Sequence, residues 1–414
     1  MDVAKIGEVT YETFADAIAA ANATESESTI TLISDIEINE AFIISKNITI
    51  SGPYTITRYK DDVGSYYTGT LFTVDAGASL TLDGGLIIDG ENHWTMDMEL
   101  YNSDLYSMNR VYAGECEKYF ILIEGEPRAT AFMITSTGGI INLNNVTFKN
   151  NFSTRSGIVS VGVGSTVILT GATITHCAST QGNGLAVNAN GANINVVMNE
   201  GTIINGNHIG GNHGAFLVYN GALFTMNGGQ ITNTTGWDSN GVAIGIYNAN
   251  FIMNGGNIGY NSSIFGTSNG RNCAVYVHSN ATMTMNGGVI YCNIGKDFAG
   301  GIASYKPTST LIITGGSVIN NVSLNNGEVG DDIHFSSPNS TIEISGGTFT
   351  QDVSQWCVEG FGAVKLPDGT WGVKTTNFQT YVCVDGIIYK ADMYACMNGT
   401  IYKVNGIQSR LDLS

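Results

Sequence analysis

The sequence predicts an all-β chain wound as a parallel β-helix, and three observations carry that prediction. The segment FTMNGGQITN at 224–233 returns as FIMNGGNIGY at 251–260 and as MTMNGGVIYC at 283–292. Equivalents of its second glycine fall at Gly85, Val146, Ala172, Gly201, Gly229, Gly256, Gly288, Gly316 and Gly347, so that after the first gap the period stays close to 28 residues. The third observation is what surrounds each anchor. Apolar residues stand five before it (Leu80, Ile141, Val167, Val196, Phe224, Phe251, Met283, Leu311, Ile342) and three before it (Leu82, Leu143, Leu169, Met198, Met226, Met253, Met285, Ile313, Ile344). They also stand two after it (Ile87, Phe148, Ile174, Ile203, Ile231, Ile258, Ile290, Val318, Phe349).

Positions −5 and −3 alternate as in a strand that points two side chains to one face, and +2 is read as the inward residue of the next strand. Such a unit is too short for a βαβ crossover and has no helical period. One coil of a solenoid fits it, with equivalent residues stacked at about 4.8 Å into internal ladders. The glycines let the backbone bend. Asn150, Asn205, Asn233 and Asn320 share position +4, where stacked amides are expected to hydrogen-bond from coil to coil, with His176 a further member.

The flanking elements follow in order. Residues 1–28 form the predicted N-terminal cap. Within it, 10–23 place Phe14, Ile18 and Ala21 on one helical face behind a Thr13/Asp16 capping pair. Such a helix covers the open end of a β-helix. The stem runs over 29–373, starting with TITLISDIEI and KNITISG, and it carries an insertion at about 89–133 rich in aromatics and acids. The stretch 53–70 is similarly decorated, and both are expected to protrude. SQWCVEGFGAVKLPDGTWGV reads as a closing strand pair, with Trp356, Phe361 and Trp371 sealing the far end. Residues 374–414 form a tandem hairpin module of period 13, YVCVDGIIYKA then YACMNGTIYKV, turning at Asp385-Gly386 and Asn398-Gly399. Cys383 and Cys396 match in it, as a disulfide or as two facing thiols.

Composition excludes several function classes. Net charge is −18, with 22 of the 35 acids in residues 1–150, 7 in 151–350 and 6 beyond. Nucleic acid, anionic membrane and anionic polysaccharide are poor partners for that field. Seven cysteines without CxxC spacing argue against zinc and a dense disulfide framework. No apolar run reaches the ~18 residues of a membrane span. The start MDVAKIGEVTYE shows neither region of a secretory signal. No cofactor is implied.

The opening AKIGEVTYETFADAIAAA, the MNGGxI coils and the end ISGGTFTQDVSQWCVEGFGAVKLPDGTWGV resemble the right-handed parallel β-helix superfamily with the pectate-lyase-like fold. The style is that of Gly/Asn-rich Firmicutes surface proteins, over nearly all of 4–373. The tail YVCVDGIIYKADMYACMNGTIYKVNG resembles short modules that end some phage tail or fibre proteins. The resemblance implies an extracellular virion or cell-surface protein, often a trimer, attached to virion proteins. Its fold also hosts lyases, glycosidases and adhesins, so fold alone assigns no activity.

Two chemistries are weighed. A calcium lyase of this fold needs an Arg base beside a carboxylate cluster. The strong bases of the stem, Arg155, Arg271, Lys296 and Lys306, stand near no run of Asp. A glycosidase needs two carboxylates. Asp238 and Asp297 each lie nine residues after their anchors, two coils apart, hence about 9.6 Å, near the inverting separation. Trp237 would supply a sugar platform, with Lys296 in its register. Two solvated loop acids are the alternative. Asp331 and Asp332 read as a bend opening a strand rather than as metal ligands with His334, and His208 and His213 as turn residues rather than metal ligands.

For binding, the decorated edge offers Trp94, Tyr101, Tyr106, Tyr112, Tyr59, Tyr66 and Tyr67, interleaved with Asp97, Glu99, Arg110, Arg58 and Asp61. Flat apolar faces with hydrogen-bonding neighbours suit a glycan on a host cell surface, or a subunit contact in a homo-oligomer. The expectation is a non-catalytic virion fibre, spike or surface protein that recognises a host or glycan surface. A bacterial adhesin or a polysaccharide-degrading hydrolase are the alternatives.

Overall fold

The computed structural model describes residues 1–62, 64–97, 99–100, 103, 120–122, 131–154, 157–180, 184–210, 213–237, 240–265, 272–296, 299–324, 331–376, 380–384, 387–391, 394–397 and 400–403. They form an all-β parallel solenoid. Each coil contributes a strand to a first face, turns at the glycine pair into a second, and returns through a third. The first face stacks in parallel from Ser28–Leu32 to Thr341–Ile344, the second from Ile36–Ile38 to Thr348–Phe349, and the third from Phe42–Ile44 to Ile333–Phe335. A fourth, seven-stranded face from Phe152–Ser153 to Val322–Ser323 lies between the second and third, and only in coils after the insertion.

The bore is filled as the repeat predicts. Leu82, Met226 and Ile344 are wholly buried, as are the other members of the −3 column. The −5 column is buried from Leu80 to Leu311 and half-buried at Ile342. Two +2 residues depart from the expectation: Ile87 is half-buried and Ile203 is exposed, while Ile88 and Ile204 take the inward seats. Ile88 pairs with Phe148, and Ile204 with Ile174. Each of those two bends holds one residue more than its neighbour, and strand alternation then turns the wrong side chain outward.

The amide ladders also lie elsewhere than expected. The +4 residues hold left-handed φ, near +50° at Asn150, His176, Asn233, Tyr260, Cys292 and Asn320, but not at Asn205, where the longer bend moves the corner to Gly206 (φ +64°). A left-handed corner resets the alternation, so the next residue points inward. The buried ladder is therefore Asn261, Asn293 and Asn321, each fully enclosed. Asn261 Nδ2 donates to Asn293 Oδ1 (3.0 Å) and Asn293 Nδ2 to Asn321 Oδ1 (2.9 Å), while Asn321 Nδ2 ends on Asp332 Oδ1 (2.9 Å). A second ladder runs along the MNGG asparagines themselves. Asn286 donates to Asn254, Asn254 to Asn227 and Asn227 to Asn199 at 2.9–3.1 Å.

The ends behave as caps. Ala4–Ile6 and Val9–Tyr11 form an antiparallel pair ahead of the helix Phe14–Asn22, whose N-cap Thr13 accepts from Asp16 N. Ala4–Ile6 pairs antiparallel with Ser28–Leu32, so the first coil enters on a paired edge. At the other end Phe361–Lys365 and Trp371–Thr375 pair antiparallel and close the second face on Thr348–Phe349. Trp356 and Phe361 pack on the core. In the tail, Thr380–Val384 pairs antiparallel with Ile387–Ala391, and Tyr394–Met397 with Thr400–Lys403; the expected turns at 385–386 and 398–399 lie outside the described residues. The side chains of Cys383 and Cys396 lie outside the described residues.

The chain leaves the stem after Ile87–Asp89 and rejoins it at Ile134–Thr137, with both strands in register with their neighbours. Trp94–Met96 and Phe120–Leu122 form an antiparallel pair inside this insertion. The stretch 53–70 protrudes less than expected, because Thr55–Arg58 is an ordinary second-face strand. Arg58 is buried at the strand end and donates through Nη1 to Tyr67 O (3.1 Å) and Gly69 O (2.7 Å). Burial lowers its pKa to about 10.

Candidate carbohydrate-binding cleft

The outer side of the third face carries two columns, one residue per coil. Asn188, Leu217, Gly245 and Tyr276 are in register in one; Asn190, Tyr219 and Tyr247 are in register in the other, with His278 following Val277. Parallel pairing stacks equivalent positions, so a Tyr repeated at the coil period becomes an aromatic strip. The rings meet. Tyr219 lies 5.9 Å from Tyr247 at 83°, and His278 lies 4.8 Å from Tyr247 at 31°. His213 approaches Tyr247 edge-on at 5.1 Å. At the following bend Asn220, Asn248 and Asn280 hold left-handed φ, which Asn tolerates, and they rim the strip with amides.

These residues enclose a cleft of about 610 Å³ lined by Asn188, Asn190, His213, Leu217, Tyr219, Asn220, Tyr247, Asn248, His278, Ser279 and Asn280. None of these is an acid, a lysine or an arginine. Burial, with His278 nearby, pushes the His213 pKa down to about 4, so His213 is neutral at physiological pH. Two buried polar atoms of the lining find no hydrogen-bond partner among the described residues: Asn188 Oδ1 and His213 Nδ1. Asn188 Nδ2 is already committed to Ser160 Oγ at 3.2 Å. Buried polar atoms are normally satisfied, so an open acceptor and a ring nitrogen beside an aromatic wall leave the cleft with unmet hydrogen-bonding capacity.

No protein-family model, curated protein or solved structure matches this chain. The geometry alone must carry the functional argument.

The sequence-selected residues fall in several places. Trp94 is buried: its ring stacks on His176 (4.9 Å, 26°) and its Nε1 donates to His176 O (3.0 Å). It lines a different cleft, of about 430 Å³, with Tyr260. Tyr66 lines a third cavity with Lys60, whose Nζ lies 4.9 Å from the ring centroid. Tyr67 packs against the core and donates to Thr70 O, and Tyr59 is exposed. Trp94 and Tyr66 therefore line separate cavities. Tyr101, Tyr106 and Tyr112 lie outside the described residues, as do Asp97's neighbours in the insertion from 104 to 119.

Asp238 and Asp297 also lie outside them. The register behind that pairing stands up to its edge: Gly236 pairs with Ser263, and Ser263 with Gly295, before a bulge at Trp237. Of Trp237 the backbone alone is described. Asp332 stands directly ahead of the strand Ile333–Phe335, where the sequence expects an opening bend, and it is also a fully buried ladder end. His208 is enclosed, with Nδ1 2.6 Å from Thr235 Oγ1. Among the described residues no three His, Cys, Asp or Glu converge on a metal position.

Sequence reasoning missed Tyr219, Tyr247 and His278. The signal was present as VYN at 218–220, IYN at 246–248 and VHSN at 277–280, repeating at the period of the glycine pair. A search for decoration outside the repeat passes over aromatics inside it.

Proposed function

We propose that this chain is a non-catalytic recognition solenoid that binds an uncharged glycan of a host cell surface through the Tyr219–Tyr247–His278 cleft. One observation supports this above others: an aromatic strip whose buried neighbours, Asn188 Oδ1 and His213 Nδ1, have no hydrogen-bond partner among the described residues. Sugar rings offer an apolar face for the tyrosines and hydroxyls for the open polar atoms. An uncharged lining inside a chain of net charge −18 favours neutral over anionic glycans. The rod and tail module fit a phage fibre or spike of the pectate-lyase-like type, trimeric and extracellular, better than a wall-anchored adhesin.

A glycan array followed by calorimetry tests the reading. Neutral glycans should bind, and Tyr247→Ala should weaken them about ten-fold, the equivalent of one aromatic contact. Selective binding of uronic or sialic acids, or an affinity indifferent to Tyr247→Ala, would end it. Hydrolysis remains the competing reading, supported by the two-coil register at Gly236 and Gly295. Reducing-sugar release that disappears in both Asp238→Asn and Asp297→Asn would replace binding with catalysis.

A further inference from the structure

The corner between the second and fourth faces carries a left-handed residue at Asn150, His176, Asn233 and Tyr260; the last three are exposed and form a ridge, while Asn150 is buried against Asp89. Between His176 and Asn233 the ridge is interrupted by Gly206, whose φ is +64°. The register leaves no doubt of its place, since Asn205 pairs with Thr175 on one side and Thr232 on the other. A side chain there would not be crowded. A Cβ on Gly206 would meet only Thr175 Oγ1, at 3.8 Å. The missing side chain opens a cleft of about 430 Å³. The Trp94–His176 stack walls it on the N-terminal side, and Tyr260, exposed and braced edge-on by Tyr291 at 5.1 Å, walls it on the other. Thr95, Asn207, Asn233 and Thr235 complete the lining, which has no Asp, Glu, Lys or Arg among the described residues.

We propose that the gap at Gly206 is a second ligand seat, sized for one uncharged pyranose ring held between the Trp94–His176 pair and Tyr260. The seat lies on a different face from the tyrosine strip, so the rod would hold glycan at two independent places. It depends on the carbohydrate reading only for the class of ligand. Gly206 supplies an unusually clean test. Asn already occupies the same corner at positions 150, 233 and 320 with φ of 52°, 51° and 56°, so Gly206→Asn should fold without strain while filling the seat.

Saturation-transfer NMR would use the methyl glycosides of glucose, galactose, N-acetylglucosamine and rhamnose as probes on the full chain. Tyr247→Ala should retain transfer to at least one probe, and adding Gly206→Asn should abolish that remainder with the melting temperature unchanged. Tyr260→Ala, which removes an exposed wall, should abolish it as well. Residual transfer identical with and without Gly206→Asn, or none in Tyr247→Ala alone, would overturn the proposal. Transfer indifferent to Tyr247→Ala but lost in Gly206→Asn would instead sink the strip and leave this seat standing.

Discussion

At Gly256 the second glycine of the repeat is held by both its backbone and the coil before. Its φ is +86°, and a Cβ would lie 2.6 Å from the Met226 methyl and 2.8 Å from Gly229 O in the coil before. The methionine of one coil packs where the next coil has no side chain. Gly256→Ala should therefore cost about 1–3 kcal/mol, read as a lowered urea midpoint. Asp332 makes a second prediction. Burial raises its pKa to about 6, outweighing the N–H donors of Asn321 and Thr350. The unfolded value is near 4, so the native state holds the proton more tightly. The resulting stability is complete below about pH 4 and is lost as pH rises to about 6, by of order 3 kcal/mol. Asp332→Asn should flatten this dependence in denaturation measured from pH 4 to 7. Repetition made the glycines legible in the sequence. Asp332 was not, because nothing in the local sequence distinguishes a fully buried acid from its half-buried neighbour Asp331.

The two asparagine ladders should differ in weight. Asn293 is enclosed and serves four partners: Asn261 N, Asn261 Nδ2, Asn321 Oδ1 and Ile258 O. Asn293→Ala strands buried donors and acceptors and should cost about 2–4 kcal/mol. Asn254 sits in the exposed ladder, where water can replace Asn227 and Asn286. Asn254→Ala should cost less than about 1 kcal/mol by the same denaturation assay. The strands themselves were legible from period-2 alternation between glycine pairs. The buried ladder was misplaced by one residue, because the left-handed +4 corner shifts which neighbour turns inward. Ile87 and Ile203 were misassigned for a related reason. One extra residue in a bend is invisible to an alignment that counts from the glycine.

Across the rod, charge is segregated: 22 of 35 acids fall in residues 1–150, while the lining of the tyrosine cleft carries none. Long-range attraction should thus contribute little to ligand capture there. Affinity for a neutral glycan should change less than about two-fold between low and high salt, by calorimetry, whereas an ion-paired site would lose strength as screening lengths shorten. The same segregation explains why composition could discourage anionic partners before any coordinate was known. It could not locate the cleft, which is assembled from coils 28 to 31 residues apart.

By itself the sequence determined the solenoid, its inward columns, its end caps and its tail hairpins. A repeat that cannot bury its apolar face alone has one stable solution, stacking on copies of itself. Tertiary structure decided everything on the outside: that Tyr219, Tyr247 and His278 touch, that Trp94 is covered by His176, and that Gly206 leaves a gap. Inward positions share one environment and so one residue class. Outward positions acquire meaning from the coil above and below, whose register depends on bend lengths that no single repeat records.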